Sequence, residues 1–251
     1  MLVGCLQWHL MPKLHATQYG FTPQHGTEDA LYDLMTHINN EFNLKKINLM
    51  VSLDIEGAFD NTWWPALETQ LRAQNCPINL HGMVRGYLRD RVVVRYAGGE
   101  CRKRTSKGCI QSSIAGPTFW NLILDSLFRE IGELDVYVQA FANDMILMLS
   151  GQSASSIEEE ANRALARVHC WGVRNKLRFA PSKTNSMELI KKLKYDDPMV
   201  HMNGEQISLV GEIRLLGLII NRNLTFIPHV AKAYKKAANI NKGLARAAKA
   251  T

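Results

Sequence analysis

The sequence predicts an α+β fold, and two patterns carry the prediction. Ile47, Leu49, Val51, Leu53 and Ile55 alternate with Asn48, Met50, Ser52 and Asp54, the period-two signature of a half-buried strand. Further on, two apolar runs at 136–141 and 145–149 are separated only by Ala142-Asn143-Asp144, which reads as a hairpin with acidic-type residues at its tip. Helical periodicity fills the intervals. Strand, helix, hairpin, helix, strand is an α+β order. No GxGxxG or Walker A glycine loop points to a doubly wound nucleotide-binding sheet.

Taken from the start, residues 1–14 are mildly apolar and read as a helix that packs on something upstream. They lack the basic opening of a signal peptide. Residues 27–42 carry Ala30, Leu31, Leu34, Met35 and Ile38 at three- and four-residue steps. Thr27 suits the cap of that helix, and Glu28 and Asp29 suit its positive end. The strand at 47–55 delivers Asp54 to a strand end. Residues 65–74 form a helix with Pro65 in its first turn.

Residues 91–96 and 101–106 flank Ala97-Gly98-Gly99-Glu100 and read as a hairpin. Arg91, Arg95, Arg102, Lys103, Arg104 and Lys107 put one sign of charge on that ribbon, which favours phosphate contact over a merely solvated face. Residues 117–131 form an apolar helix. Residues 155–172 form another, with a capping box from Ser155 and Glu158 or from Ser156 and Glu159. Its stripe of Ile157, Ala161, Leu165, Val168 and Trp171 is core packing. Residues 213–221 are β-like. Residues 229–250 form a basic helix carrying Lys232, Lys235, Lys236, Lys242, Arg246 and Lys249.

Composition narrows the function. A hydrophobic fraction of 46% supports a packed core, which excludes a disordered chain. The net charge of +7 suits a polyanionic partner, of which nucleic acid is the commonest. The 5 cysteines form no CxxC pair or zinc-spaced cluster, so reduced thiols and a cytoplasmic or nuclear setting are expected. No apolar run approaches the roughly 20 residues that span a bilayer, and no membrane partner is expected.

Three stretches carry chemistry: Leu53-Asp54-Ile55-Glu56-Gly57-Ala58-Phe59-Asp60-Asn61, the polar loop Lys107-Gly108-Cys109-Ile110-Gln111-Ser112-Ser113 that opens a helix, and Phe141-Ala142-Asn143-Asp144. A strand-end aspartate facing a hairpin-tip aspartate is the geometry that holds two Mg²⁺ ions about 3.5–4 Å apart for nucleotidyl transfer. Magnesium needs only one or two carboxylates beside phosphate oxygens. Asp60 is read as the cap of the following helix.

In this order the three stretches resemble motifs A, B and C of reverse transcriptases. Gln18-Tyr19-Gly20-Phe21, with Gly26-Thr27-Glu28-Asp29-Ala30, resembles the fingers-to-palm entry of LINE-type enzymes. Leu177-Arg178-Phe179-Ala180-Pro181-Ser182-Lys183-Thr184 resembles motif D, and Leu215-Leu216-Gly217 with Pro228-His229 resembles motif E. Six stretches in register make the match specific. The 57–65 segment favours the non-LTR, I/jockey-like branch over group II intron maturases or other bacterial-type relatives.

The resemblance implies a right-hand polymerase with fingers and palm, a ferredoxin-like palm sheet and the start of a helical thumb. It divides the chain into partial fingers (1–45), palm with interleaved fingers segments (46–230) and thumb start (231–251). It implies RNA-directed DNA polymerase activity with RNA template, DNA primer and deoxynucleotide triphosphates, using two Mg²⁺ ions, or Mn²⁺ in their place. Asp54 and Asp144 would hold metal, with the Ile55 carbonyl beside Asp54. Phe59 would be the steric gate against a ribose 2′-hydroxyl, and Gln111 would lie against the incoming nucleotide. Lys183 would protonate the leaving pyrophosphate. Arg102, Lys103, Arg104, Lys235 and Lys236 would contact nucleic acid.

The sequence departs from the family pattern at Asn143, where motif C has its metal-binding aspartate, and at Ser112, where motif B has glycine. Asparagine offers an oxygen but no charge. Each change can arise from a single G-to-A substitution in a codon, so a decaying copy with impaired activity is expected. Two alternatives are a catalytically dead module binding RNA or an RNA–DNA duplex, and a decayed transposon fragment. Further fingers, a full thumb and an endonuclease are expected to be missing.

Overall fold

A computed structural model describes residues 2–89, 92–96, 100–109, 113–189 and 198–247. Its helices are α1 (Leu2–Leu10), α2 (Thr27–Asn43), α3 (Ala58–Asn61), α4 (Trp64–Ala73), α5 (Ile78–Leu88), α6 (Ala115–Gly132), α7 (Ala154–Asn175) and α8 (Ile227–Ala247). Its strands are β1 (Ile47–Asp54), β2 (Val92–Tyr96), β3 (Glu100–Arg104), β4 (Tyr137–Phe141), β5 (Asp144–Gly151), β6 (Asn185–Leu189), β7 (His201–Met202), β8 (Glu205–Gln206), β9 (Ser208–Leu209), β10 (Glu212–Leu215) and β11 (Leu218–Asn221).

The central sheet runs β4-β5-β1-β6-β9. Strands β1, β4, β5 and β6 with crossover helices α6 and α7 form the β-α-β-β-α-β unit of a ferredoxin-like palm, as the resemblance implies. β1 is central and antiparallel to both β5 and β6, with Asp54 directly opposite Asp144.

β1 was expected to be half buried, but Ile47, Asn48, Leu49, Met50 and Val51 are all buried. Both faces of the sheet are covered. Leu49, Val51 and Leu53 pack with Leu127, Phe128, Leu165 and Val168 of α6 and α7. Met50, Ile146, Met148 and Met187 pack with Leu34 and Ile38 of α2 and with Ile213, Leu215 and Ile220 of the β10–β11 hairpin. The amide of Asn48 is reconciled with burial by the Ser150 hydroxyl, which donates to Asn48 Oδ1 (2.7 Å). β1 opens to solvent only towards Asp54.

Several local expectations need correction. Gly26, not Thr27, is the N-cap of α2, and its N–H donates to the Asp29 carboxylate (2.7 Å). Ser153, not Ser155 or Ser156, caps α7: its Oγ accepts from the Ser156 N–H (3.2 Å). Asp60 lies inside the one-turn α3, while α4 is capped by Trp63 without a side-chain bond. The β-like run at 213–221 folds back on itself, because Leu216 (φ 50°) and Gly217 (φ 85°) form a two-residue turn of the type-I′ kind.

Replacing Ser153 with alanine is expected to cost about 1 kcal/mol, the usual value of an N-cap. Urea unfolding checks this, and an unchanged midpoint would contradict it.

At the end of the sheet remote from Asp54, His37 stacks on Tyr137 (centroids 4.1 Å apart). Burial, with help from Lys46, lowers the His37 pKa below its ordinary 6.5, against the pull of Glu41. The unfolded chain therefore binds the proton more readily. Stability is full above pH 6.5 and declines as pH falls from there towards the depressed value. The melting temperature should drop with acidification over that window, and less so in His37→Phe, which keeps the ring but cannot titrate. Equal slopes in the two proteins would remove His37 as the cause.

Candidate active site

β1 ends at Asp54 and β5 begins at Asp144, so their antiparallel register sets two carboxylates side by side at the mouth of the sheet. Partial burial of Asp144 and the negative charge of Asp54 raise the Asp144 pKa. A like-charged pair of this kind favours a cation. Lys183 Nζ supplies one, 3.5 Å from Asp54 Oδ2. Both side chains are substantially exposed, so this contact contributes little stability.

The segment carrying Lys183 is laced to the end of β1. The Ala180 N–H donates to the Asp54 carbonyl (3.1 Å), and the Glu56 N–H donates to the Arg178 carbonyl (2.9 Å). Ile55 pairs with Phe179 in an isolated bridge and is buried.

After Ile55 the chain turns sharply at Gly57 (φ 54°), where an added Cβ would lie 2.9 Å from Asn61 Nδ2. The turn brings Phe59 back to the site. Its ring stands edge-on to Phe21 (5.9 Å) and tilted against Trp120 (6.0 Å). It is partly buried against the core and also lines the cleft. The cleft has a volume near 320 Å³, and Asp54, Ile55, Gly57, Phe59, Asn143 and Lys183 are among its lining residues. Asn143 thus faces the same cleft as Asp54.

The hairpin tip is a two-residue turn, Ala142-Asn143, closed by the Phe141–Asp144 pair. Ala142 adopts φ 60°. Trp120 Nε1 of α6 donates to the Ala142 carbonyl (2.9 Å). Gly20 packs against the backbone of the same turn. Sequence reasoning assigned no site role to Trp120 or to Gly20, and it left Asn121, which donates to the Gly20 carbonyl (2.8 Å), unnoticed. The available signal was the polar line Asn121, Asp125, Arg129 at four-residue steps on a largely apolar helix.

The approach to motif B is anchored to the same region. Gly108 N–H donates to the Thr62 carbonyl (2.8 Å), and Cys109 N–H donates to the Phe59 carbonyl (2.8 Å). Gln111 and Ser112 themselves lie outside the described residues. β2 and β3 pair as a hairpin as expected, but Glu100, read as part of the turn, lies in β3 and pairs with Tyr96, and the side chains of Arg102, Lys103 and Arg104 also lie outside the described residues. Lys235 and Lys236 are exposed on α8 and, with Lys232, line a surface groove away from the cleft. Among the described residues no group of three or more His, Cys, Asp or Glu side chains gathers as a metal cage. No described helix is long and apolar enough to cross a membrane.

A ferredoxin-like palm with paired aspartates at its strand ends defines a polymerase class, and the comparisons place the chain within it. Residues 1–220 match the reverse transcriptase (RNA-dependent DNA polymerase) family, to which the chain belongs. It is 31% identical over 215 residues to the Retrovirus-related Pol polyprotein from type-1 retrotransposable element R1 of Bradysia coprophila, covering 84% of this chain and 21% of that protein. It is 25% identical over 221 residues to the RNA-directed DNA polymerase from mobile element jockey of Drosophila funebris, covering 85% of this chain and 24% of that one. The chain therefore spans under a quarter of the length of these relatives. Among solved structures, apo telomerase from Candida tropicalis truncated from its C-terminal domain superposes with a TM-score of 0.63 at 13% identity, covering 90% of this chain and 44% of that one. The chain is a reverse transcriptase domain homologous to those of non-LTR retrotransposons.

Proposed function

We propose that this domain is the core of an RNA-directed DNA polymerase that extends a DNA primer on an RNA template with deoxynucleotides, and that Asn143 impairs it. The observation that carries the reading is the register that sets Asp54 against Asp144 at the mouth of a cleft shared with Phe59, Asn143 and Lys183. Two neighbouring carboxylates, repelling each other and open to solvent, fit hard divalent cations such as Mg²⁺ or Mn²⁺. When bound, a metal pair would stabilise the attacking and leaving oxygens of nucleotidyl transfer.

The chain's own residues supply the rest. Phe59, wedged between Phe21 and Trp120, walls the cleft with a ring that a ribose 2′-hydroxyl would meet. Gln111 would lie against the nucleotide. Lys183 is within reach of the Asp54 carboxylate and could pass a proton to departing pyrophosphate, while its charge offsets phosphate. Residues 1–45 serve as part of the fingers, 46–230 as palm, and 231–251, with Lys235 and Lys236 on α8, as the start of a thumb. The arms of the β2–β3 ribbon, with Arg102, Lys103 and Arg104, contact the nucleic-acid backbone.

Asn143 in the cleft favours one competing reading, a module that binds RNA or an RNA–DNA duplex without catalysis. Primer extension by the protein and by its Asn143→Asp variant separates the two. Extension by the variant supports the polymerase. Extension by neither, with salt-sensitive duplex binding intact, supports the binding module.

A further inference from the structure

The turn that carries Asn143 is held from outside the palm sheet by a segment near the N-terminus. Residues 17–20 run beside β4 as a short extra edge. Ala140 N–H donates to the Thr17 carbonyl (3.1 Å), Tyr19 N–H donates to the Ala140 carbonyl (2.9 Å), and Gln18 bridges Ala140 in parallel. The Thr17 hydroxyl donates to the Val138 carbonyl (2.6 Å).

The segment then meets the turn backbone to backbone. A Cβ built on Gly20 would lie 2.0 Å from the Ala142 nitrogen and 2.8 Å from both the Ala142 Cα and the Phe141 carbonyl carbon. All three are main-chain atoms, so no side chain can swing aside to make room. Contacts under 3.0 Å essentially never occur for real Cβ atoms, so any larger residue would force a shift of at least about 1 Å. From α6, Trp120 Nε1 holds the carbonyl of the same Ala142 (2.9 Å). The clasp is closed by α6: Asn121 Nδ2 donates to the Gly20 carbonyl (2.8 Å), and Gln18 Nε2 donates back to the Asn121 carbonyl (3.0 Å). Asn121 and Gln18 are both buried.

We propose that Gly20 is a positioning residue for the catalytic turn, pressing the Ala142-Asn143 backbone against Trp120 and fixing where position 143 and Asp144 stand relative to Asp54. Ala142 sits at a positive φ that alanine disfavours, so the turn needs outside support of this kind. The adjacent Phe21 ring rests on Phe59, and the same segment thereby spans both walls of the cleft. The proposal rests on the polymerase reading of that cleft, and the experiment is arranged so that the two can fail separately.

Amide hydrogen exchange is measured over residues 138–146 in the protein as it stands, in Gly20→Ala and in Asn121→Leu. The second variant frees the Gly20 carbonyl without adding a Cβ at the contact. Faster exchange in 138–146, with α7 and β6 exchanging as in the parent, is the expected result. Unchanged exchange there in a folded Gly20→Ala protein overturns the proposal. If Gly20→Ala does not fold, Asn121→Leu decides by the same criterion.

Primer extension is then compared in the Asn143→Asp background. Displacing reacting groups by about 1 Å can cost on the order of 10²-fold in rate, so Gly20→Ala should lower kcat by that order. KM for the deoxynucleotide should change little, and a higher Mn²⁺ concentration should be needed for half-maximal rate. A loss confined to KM, or none, overturns the positioning role. If the Asn143→Asp parent extends no primer, the polymerase reading fails, and the exchange comparison still stands or falls alone.

Discussion

Asn143→Asp should raise the rate of RNA-templated primer extension on the order of 10²–10³-fold, the usual scale for one preorganised electrostatic contact in a transition state. Position 143 lines the cleft with Asp54, whereas Asp144 meets Asp54 through the strand register. A carboxylate at 143 would therefore add a third negative donor at a place the fold already points into the cleft. Two unit charges about 4 Å apart interact by roughly 4 kcal/mol at an effective dielectric of 20, which is ample for the predicted gain.

The same charge carries a cost that gives a second readout. Asp144 already has a raised pKa because of burial and Asp54. A third carboxylate would increase the repulsion, so the variant should melt lower than the parent at neutral pH without divalent ions and regain stability when Mg²⁺ is added. The parent should respond less to Mg²⁺. Equal extension rates and equal Mg²⁺ responses in the two proteins would show that Asn143 is no impairment. Adding Ser112→Gly tests the second departure separately, since glycine restores a backbone that can approach a nucleotide closely.

The parts of this site that were legible in the sequence are those fixed by local periodicity. Alternation along β1 placed Asp54 at a strand end, and the gap between two apolar runs placed Asn143 and Asp144 at a hairpin tip. What escaped depends on distant chain. The polar face of β1 is buried because α2 and the β10–β11 hairpin cover it, and nothing in residues 47–54 announces that cover. β6 was missed because Asn185, Ser186 and Glu188 make it look polar; Glu188 is buried there beside Arg222 (3.6 Å). α5 was missed because Gly82 and Gly86 weaken its helical signal, although Val84 and Leu88 are buried four residues apart. Gly20 reads only as part of the family-like Gln18–Phe21 stretch until Ala142 is placed against it.

Asp125 acquires its partners only in the fold, and its removal should be the most damaging single truncation among the buried polar groups. Its side chain is 1% exposed in the middle of α6. It accepts from the His15 N–H (2.7 Å), from Gln74 Nε2 (3.0 Å) and from Arg129 Nε (2.8 Å). Those three donors come from the N-terminal segment, the end of α4 and α6 itself. Arg129 also donates to the Lys13 carbonyl (2.8 Å), and Lys13 Nζ donates to the Gln74 carbonyl (2.8 Å). Asp125→Ala leaves the His15 amide and the Gln74 amide without that acceptor and removes the carboxylate partner of Arg129 Nε. Losing one member of a buried, charge-assisted network costs about 3–5 kcal/mol. Arg129 is more than half exposed and can return to water, which places the expected loss towards the lower end of that range. For a domain of this size each kcal/mol lowers Tm by about 2–4 °C, so the loss is easily measured. Asp125→Asn keeps one acceptor oxygen and should lose less. The damage should also be directional: residues 15–20 should exchange faster, because His15 begins the segment that ends on Gly20 against the Ala142-Asn143 turn. An Asp125→Ala protein as stable as its parent would show that the three contacts merely accompany the packing of α6, and normal exchange at 15–20 would uncouple Asp125 from the site.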